Sequence, residues 1–220
     1  MHGRYLGHCS NLPKGDGCLN KVVLSLTKLY LRSQKSKFKN ISRIELPDNR
    51  EVEVVVYTND NDFWLGQATI TGAIIVHEKC FRSTELLHYV VAHEDAHRRS
   101  WYSYLTIPLL IILWPYGFFV MCTALFYLGA MVAAGDYSIL PSFFGMLFIG
   151  LLAIAIGCFY SWFIEYKADS KAIRVLGMEI VLHAREEIDR FPKRPLSWRI
   201  IARITHPPFS YTKRIYKFFN

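Results

Sequence analysis

Two long stretches of this 220-residue chain contain neither a charged residue nor a histidine. They cover residues 100–135 and 137–164, and only Asp136 separates them. Buried helices of soluble proteins rarely extend this far without a charge, whereas a bilayer core requires about 20 apolar helical residues. The missing charge therefore excludes an ordinary soluble domain here. It predicts two membrane-spanning helices, at about 105–133 and 140–162.

Cysteines are few, and the chain has no apolar leader segment. Five cysteines occur without any CxxC pair, which excludes a disulfide framework and fits a reducing compartment. They are Cys9, Cys18, Cys80, Cys122 and Cys158. Because the N-terminus lacks an apolar stretch, no cleavable signal is expected. Residues 1–17 are polar and Gly-rich, and are predicted to be a flexible tail.

The net charge of +8 lies outside the two charge-free stretches. Arg98 and Arg99 precede the first stretch, Lys167 and Lys171 follow the second, and the linking segment has no basic residue. The positive-inside rule then predicts a multi-pass protein of the cell membrane, with both main segments cytoplasmic and a short turn outside. The basic surface favours contact with the lipid bilayer. No nucleic-acid partner is expected, since the chain has no basic stripe interleaved with aromatic residues.

The motif His93-Glu94-Asp95-Ala96-His97 lies in a segment with helical periodicity, which Ser83 begins as an expected N-cap. Histidines four residues apart lie on one face of a helix and can bind one zinc ion, while Glu94 can reach a water on that ion. Zinc lowers the pKa of its water to about 7. The alternative is a surface helix with two chance histidines, and the apolar residues beside the motif argue against it.

Catalytic zinc requires a third protein ligand and one open position. Glu165 and Asp169 are again four residues apart on a predicted helix. Glu165 could bind the metal while Asp169 accepts the free N–H of a ligand histidine. A solvated charged face explains the spacing equally well. Two spans, however, return the chain to the side that it left. Glu165 would then share a side with His97, close to the membrane surface.

Together these residues resemble the HtpX-like family of membrane zinc metallopeptidases, whose relatives include the CAAX prenyl proteases. The similar stretches are 61–177 and 205–215, and the family also places two membrane helices between an HExxH and an ExxxD motif. The resemblance implies one zinc ion per chain, Glu94 as general base and acid, and Asp169 next to a ligand. The implied zinc ligands are His93, His97 and Glu165.

The resemblance extends to a C-terminal His-Pro element, Thr205-His206-Pro207-Pro208. It implies that His206 stabilises the oxyanion and that Arg214 supports the site. Without the family, His206 would be a residue of a rigid turn. HtpX proteins usually begin with two further membrane helices, and residues 1–82 contain none, so a different route for the substrate is expected.

Residues 61–76 resemble the family region that supplies an edge strand, along which an extended peptide can bind through backbone hydrogen bonds. The predicted substrate-binding residues are Gly72, Ala73, Ile74 and Ile75. A plain core strand is the alternative.

The predicted fold is an α+β zincin-type catalytic domain of the gluzincin kind, mostly helical and interrupted by a transmembrane hairpin. Residues 18–100 form its N-terminal part, with the edge strand and the HExxH helix. Residues 101–163 form the hairpin, and residues 164–220 the C-terminal part, with the ExxxD helix and the His-Pro element. Smaller expectations are an amphipathic helix at 19–31, a basic loop at 33–40, a strand at 51–57, and helices at 165–176, 178–189 and 196–204.

The predicted function is that of a membrane-anchored zinc metalloendopeptidase acting on polypeptides, including membrane or misfolded proteins. One alternative is a catalytically silent membrane adaptor with a structural zinc site. The other is a small transport or channel subunit built on the hairpin. The charge-free stretches argue against a channel, because they lack the ionisable residues that mark an ion path. The oligomeric state is left open.

Overall fold

A computed structural model of the chain describes residues 20–59, 65–135, 137–138, 140–190 and 214. It is mixed α+β and mostly helical, as the sequence predicts. The elements in chain order are α1 (Lys21–Ser33), β1 (Lys37–Glu45), β2 (Glu51–Thr58), β3 (Gly66–Ala68), β4 (Ile74–His77), a 3-10 turn (Glu78–Arg82), α2 (Thr84–Arg98), α3 (Trp101–Ala134), α4 (Leu140–Leu176) and α5 (Met178–Asp189).

The described residues fall into two compact units. The first comprises residues 20–99 and 168–190, which include the sheet, α1, α2, α5 and the end of α4. The second comprises residues 100–167, which include α3 and most of α4. The chain therefore leaves the first unit after α2 and returns to it along α4.

The sheet of the first unit has the strand order β1-β2-β4-β3. β2 and β4 pair in parallel, while β1 pairs antiparallel with β2, and β3 antiparallel with β4. The inner strand β4 is fully buried, and β2 is buried from Val54 to Tyr57, as strands covered on both faces require. The outer strand β1 begins at Lys37 and so corrects the loop predicted at 33–40. Its lysines are tolerated because it lies at an edge of the sheet.

Helix α1 packs on this sheet along the flank that carries Leu31. Leu31 is 1% exposed and joins a buried cluster with Val55, Tyr57 and Ile75. Three apolar residues of the helix remain exposed, namely Val22, Leu26 and Leu29. They lie on another flank than Leu31, whose contacts with the sheet orient the helix.

Helix α2 begins where the sequence predicts, with the Ser83 side chain accepting a hydrogen bond from the Leu86 N–H at 3.2 Å. Asp95, inside the HExxH motif, faces away from the histidines and is 1% exposed. Three arginines neutralise it, with N···O distances of 2.7, 2.5 and 2.9 Å; they are Arg50, Arg98 and Arg99. Buried carboxylates require such partners, so this network fixes the end of α2 to the β1–β2 turn.

Two helices are long and apolar enough to cross a membrane, Ile112–Ala134 and Leu140–Leu176. The first lies in the second unit, and so does the second helix up to Lys167. Only 17% and 22% of their most apolar windows are buried, unlike the core helices of a soluble protein. Within this unit, α3 and α4 approach closely at two glycines. A Cβ at Gly117 would lie 2.8 Å from the Gly150 carbonyl oxygen, so neither position has room for a side chain.

Candidate metal centre

Helix α2 brings His93 and His97 together as the HExxH spacing predicts. Their Nε2 atoms are 3.1 Å apart, and both side chains lie largely out of solvent. Two ligands of a tetrahedral zinc ion, each at about 2.05 Å, are separated by about 3.3 Å. The two ring nitrogens therefore already have the spacing that a shared metal ion requires.

Glu165 on α4 supplies a third donor. One ligand atom each from His93, His97 and Glu165 lie within 4.8 Å of one another, and these three residues form a group that could hold a metal ion. Two imidazoles and one carboxylate are a known donor set for catalytic zinc and leave a fourth position open. The donor chemistry thus fits zinc, although the geometry alone does not name the metal.

Asp169 lies one turn beyond Glu165 and accepts a hydrogen bond from Nδ1–H of His93 at 2.9 Å. This bond fixes the tautomer of His93 and turns its Nε2 toward His97, as expected for a carboxylate next to a metal ligand. Burial of Asp169 acts to raise its pKa. The Arg185 guanidinium and the bonds from His93 and Tyr89 outweigh burial and lower that pKa to about 2.

Two further residues hold Asp169, and sequence reasoning missed both. The Tyr89 hydroxyl donates to Oδ1 at 2.8 Å, and Nη2 of Arg185 lies 3.1 and 2.9 Å from Oδ1 and Oδ2. Tyr89 precedes His93 by one helical turn and so lies on the same face of α2. That position was a weak signal in the sequence that Tyr89 belongs to the site. Arg185 lies in a charged run of α5 that has the composition of a solvated face.

The Glu94 carboxylate is held by the sheet. The Ala68 N–H of β3 donates to Glu94 Oε2 at 2.7 Å. The strand can come so close to α2 because residue 66 is glycine. A Cβ at Gly66 would lie 2.4 Å from Val90 Cγ1 and 3.1 Å from Glu94 Cγ. Glu94 is thus positioned on the same side of α2 as the strand.

The sheet edge next to β4 is the strand β3, and this corrects the substrate-binding prediction for Ile74 and Ile75. Ala73 is 1% exposed, and Ile74 and Ile75 lie in β4, whose backbone pairs with β2 on one side and β3 on the other. Gly72 lies in the β3–β4 turn with a positive φ of 82°. A backbone already paired on both sides cannot pair with a peptide, so Ile74 and Ile75 do not form the edge. A binding role for Gly72 and Ala73 stays a prediction.

The main-chain groups of β3 alternate in direction. Leu65 and Thr69 make hydrogen bonds toward β4, through the Leu65 carbonyl and the Thr69 N–H. In an antiparallel pair, every second residue bonds to the neighbouring strand. Gly66 and Ala68 therefore turn their main-chain groups to the other side, as the bond from Ala68 to Glu94 shows.

Two of the predicted site residues, His206 and Arg214, lie in the C-terminal segment. His206 lies outside the described residues. Arg214 is helical and exposed, and its role at the site stays a prediction. Comparisons of this chain with protein-family models, with curated proteins and with solved structures found no match.

Proposed function

We propose that this chain is a membrane-anchored zinc metalloendopeptidase, with one zinc ion held by His93, His97 and Glu165. The observation that carries the proposal is the convergence of these three donors beside Glu94. The hydrogen bond from His93 to Asp169 supports it, because an isolated pair of surface histidines would not require a buried carboxylate behind it. The resemblance to the HtpX-like family agrees with this donor set.

A zinc ion bound there would act as a Lewis acid, polarising the scissile carbonyl and making an attacking water acidic. Glu94 is the residue placed to take the proton of that water and to deliver it to the leaving amine. The Ala68 N–H holds one oxygen of Glu94, so the carboxylate has a defined orientation before the substrate binds. His206 is the proposed donor to the oxyanion, on the resemblance alone.

The substrate of this reaction is proposed to be an extended polypeptide that pairs with β3. The support is the direction of the Gly66 main-chain groups and of the Ala68 carbonyl, which turn away from β4 beside Glu94. The Ala68 N–H keeps its bond to Glu94. An extended chain that adds to such an edge binds through backbone hydrogen bonds and depends little on sequence. Membrane or misfolded proteins would supply chains of this kind.

Anchoring in the cell membrane is proposed for α3 and α4, with the metal centre on the cytoplasmic side. Large side chains on these helices face outward, for example Phe126 at 76% and Phe159 at 74% exposure. On the continuous helix α4, Glu165 follows directly after the charge-free stretch. A cysteine at Ser138, in a chain without its other cysteines, should react with an impermeant reagent from outside intact cells. Labelling only after lysis would show that the turn at Ser138 faces the cytoplasm and that the proposed orientation is wrong.

The direct test combines metal analysis with cleavage of casein, an unfolded substrate, by the purified full chain. We expect about one zinc per wild-type chain, and a loss of about 10²- to 10⁴-fold in cleavage rate for Glu94→Gln with zinc retained. Glu85→Gln, the same change in the first turn of the same helix, is the control and should cleave normally. Glu165→Ala should lose zinc.

Two results would contradict the proposal. Near-normal cleavage by Glu94→Gln would show that Glu94 is not the general base. A wild-type protein that binds zinc fully yet cleaves nothing would instead favour the membrane adaptor with a structural zinc site.

A further inference from the structure

Asp169 is the meeting point of three helices in the first unit. It lies near the end of α4, is 1% exposed, and accepts bonds from Tyr89 and His93 on α2 and from Arg185 on α5. Oδ1 receives all three donors, whereas Oδ2 lies within hydrogen-bonding distance of Arg185. The carboxylate is therefore fixed in both position and rotation.

We propose that Arg185 and Tyr89 are positioning residues of the metal centre, acting through Asp169 on His93. This inference rests on the proposed metal site but goes beyond its ligands and its base. A buried carboxylate with His93 as its sole partner could rotate about its side-chain torsion and take the imidazole with it. Donors from two other directions remove that freedom, so Nε2 of His93 stays aimed at the metal position.

Arg185 is suited to this role by its planar fork and by its second contact. A guanidinium can bridge both oxygens of a carboxylate, whereas an ammonium group acts as a point charge. The guanidinium carbon of Arg185 also lies 5.2 Å from the centre of the Tyr89 ring, in a cation–π contact. The two residues thus hold each other as well as Asp169.

The test is the zinc affinity of the full chain in detergent, measured by competition with a chromophoric chelator in the Glu94→Gln background. This readout does not depend on peptide cleavage. We expect Arg185→Met to weaken zinc binding by about 10- to 100-fold, which is the usual effect of losing a partner behind a ligand. Arg185→Lys should recover part of the loss. Arg174→Met, an exposed arginine on α4, is the control and should bind zinc normally.

A second variant separates positioning from folding. Tyr89→Phe removes one hydroxyl and keeps the ring, so the unfolding midpoint of the metal-free protein should stay close to that of the parent. Its zinc affinity should nevertheless fall several-fold. The visible spectrum of the Co²⁺-loaded Arg185→Met protein should also change at saturating metal, since the geometry of one ligand is altered.

The outcomes distinguish this inference from the proposed function. Zinc binding by Arg185→Met equal to that of Arg174→Met would overturn the inference and leave the metal site intact. If Arg185→Met fails to fold, an unchanged zinc affinity in Tyr89→Phe would overturn it in the same way. A parent protein that binds no zinc would overturn both.

Discussion

The two units of this protein expose different kinds of residue. In the first unit the inner strands and α2 hide their apolar side chains, and Val54 and Val91 are fully buried. In the second unit the largest apolar side chains point outward, with Phe126 76% exposed. The buried carboxylates of the first unit, Asp95 and Asp169, each have several charged or hydrogen-bonding partners. The difference agrees with the proposed membrane anchor in the second unit and with a first unit whose surface faces water.

The largest effect is expected when an exposed apolar residue in each unit is replaced by arginine. Phe126→Arg should cost about 2.5–3.5 kcal/mol in membrane insertion, because a charge is costly in the bilayer core. Leu29→Arg in α1, at a residue that is 64% exposed, should change stability by less than about 0.5 kcal/mol. The fraction of each variant that resists alkaline extraction from membranes measures the effect. Equal resistant fractions for the two variants would contradict the distinction between the two units.

The next largest effect is expected from the buried carboxylate of α2. Asp95→Ala should lower the free energy of unfolding by about 2–3 kcal/mol, less than for a fully buried pair because its arginines are partly exposed. Asp48→Ala removes an exposed carboxylate that also contacts Arg50, and should cost about 0–1 kcal/mol. Denaturant unfolding in detergent compares the two. A larger loss for Asp48→Ala would mean that Asp95 does not fix the end of α2.

The hairpin of the second unit depends on the close approach of its glycines. Gly117→Leu should destabilise the packing of α3 on α4 by about 1–3 kcal/mol, because the added side chain meets the backbone at Gly150. Gly129→Leu is the matched control, since a Cβ there would meet no described atom within 4 Å. Thermal unfolding of the solubilised protein measures both. A normal midpoint for Gly117→Leu would refute the close packing.

The smallest effect is expected where β3 approaches α2. Gly66→Ala should push the strand away from Val90, weaken the bond from Ala68 to Glu94, and lower the cleavage rate about 10-fold, or about 1.4 kcal/mol. Val90→Ala removes the obstructing methyl groups, so the double variant should recover much of the rate. Losses that simply add in the double variant would show that the contact does not position Glu94.

The sequence was sufficient where one residue type or one period determined the structure. The Ser83 cap, the HExxH helix, β2 and α5 were predicted close to their observed bounds, because each has a distinct pattern. The pairing of His93 with His97 followed from spacing, whereas Glu165 was assigned from the two spans and from the family resemblance. The zincin fold and the peptidase activity stay predictions.

The remaining features depend on tertiary contacts that no local pattern records. Substrate binding was predicted at residues 72–75, within a stretch that resembles an edge strand, yet the continuous apolar character of Ile74 and Ile75 belongs to an inner strand. The short Gly66–Ala68 edge carries almost no hydrophobic signal. Arg185 gave no signal either, because its partner Asp169 lies on another helix. The first strand was missed because its lysines resemble a loop.

The most direct measurement of the central claim is X-ray absorption at the zinc edge of the purified, zinc-loaded chain. The account predicts two imidazole nitrogens and one carboxylate oxygen at about 2.0–2.2 Å, with the imidazole contribution halved in His97→Ala. A wild-type spectrum with a single imidazole, or with sulfur from a cysteine, would contradict it.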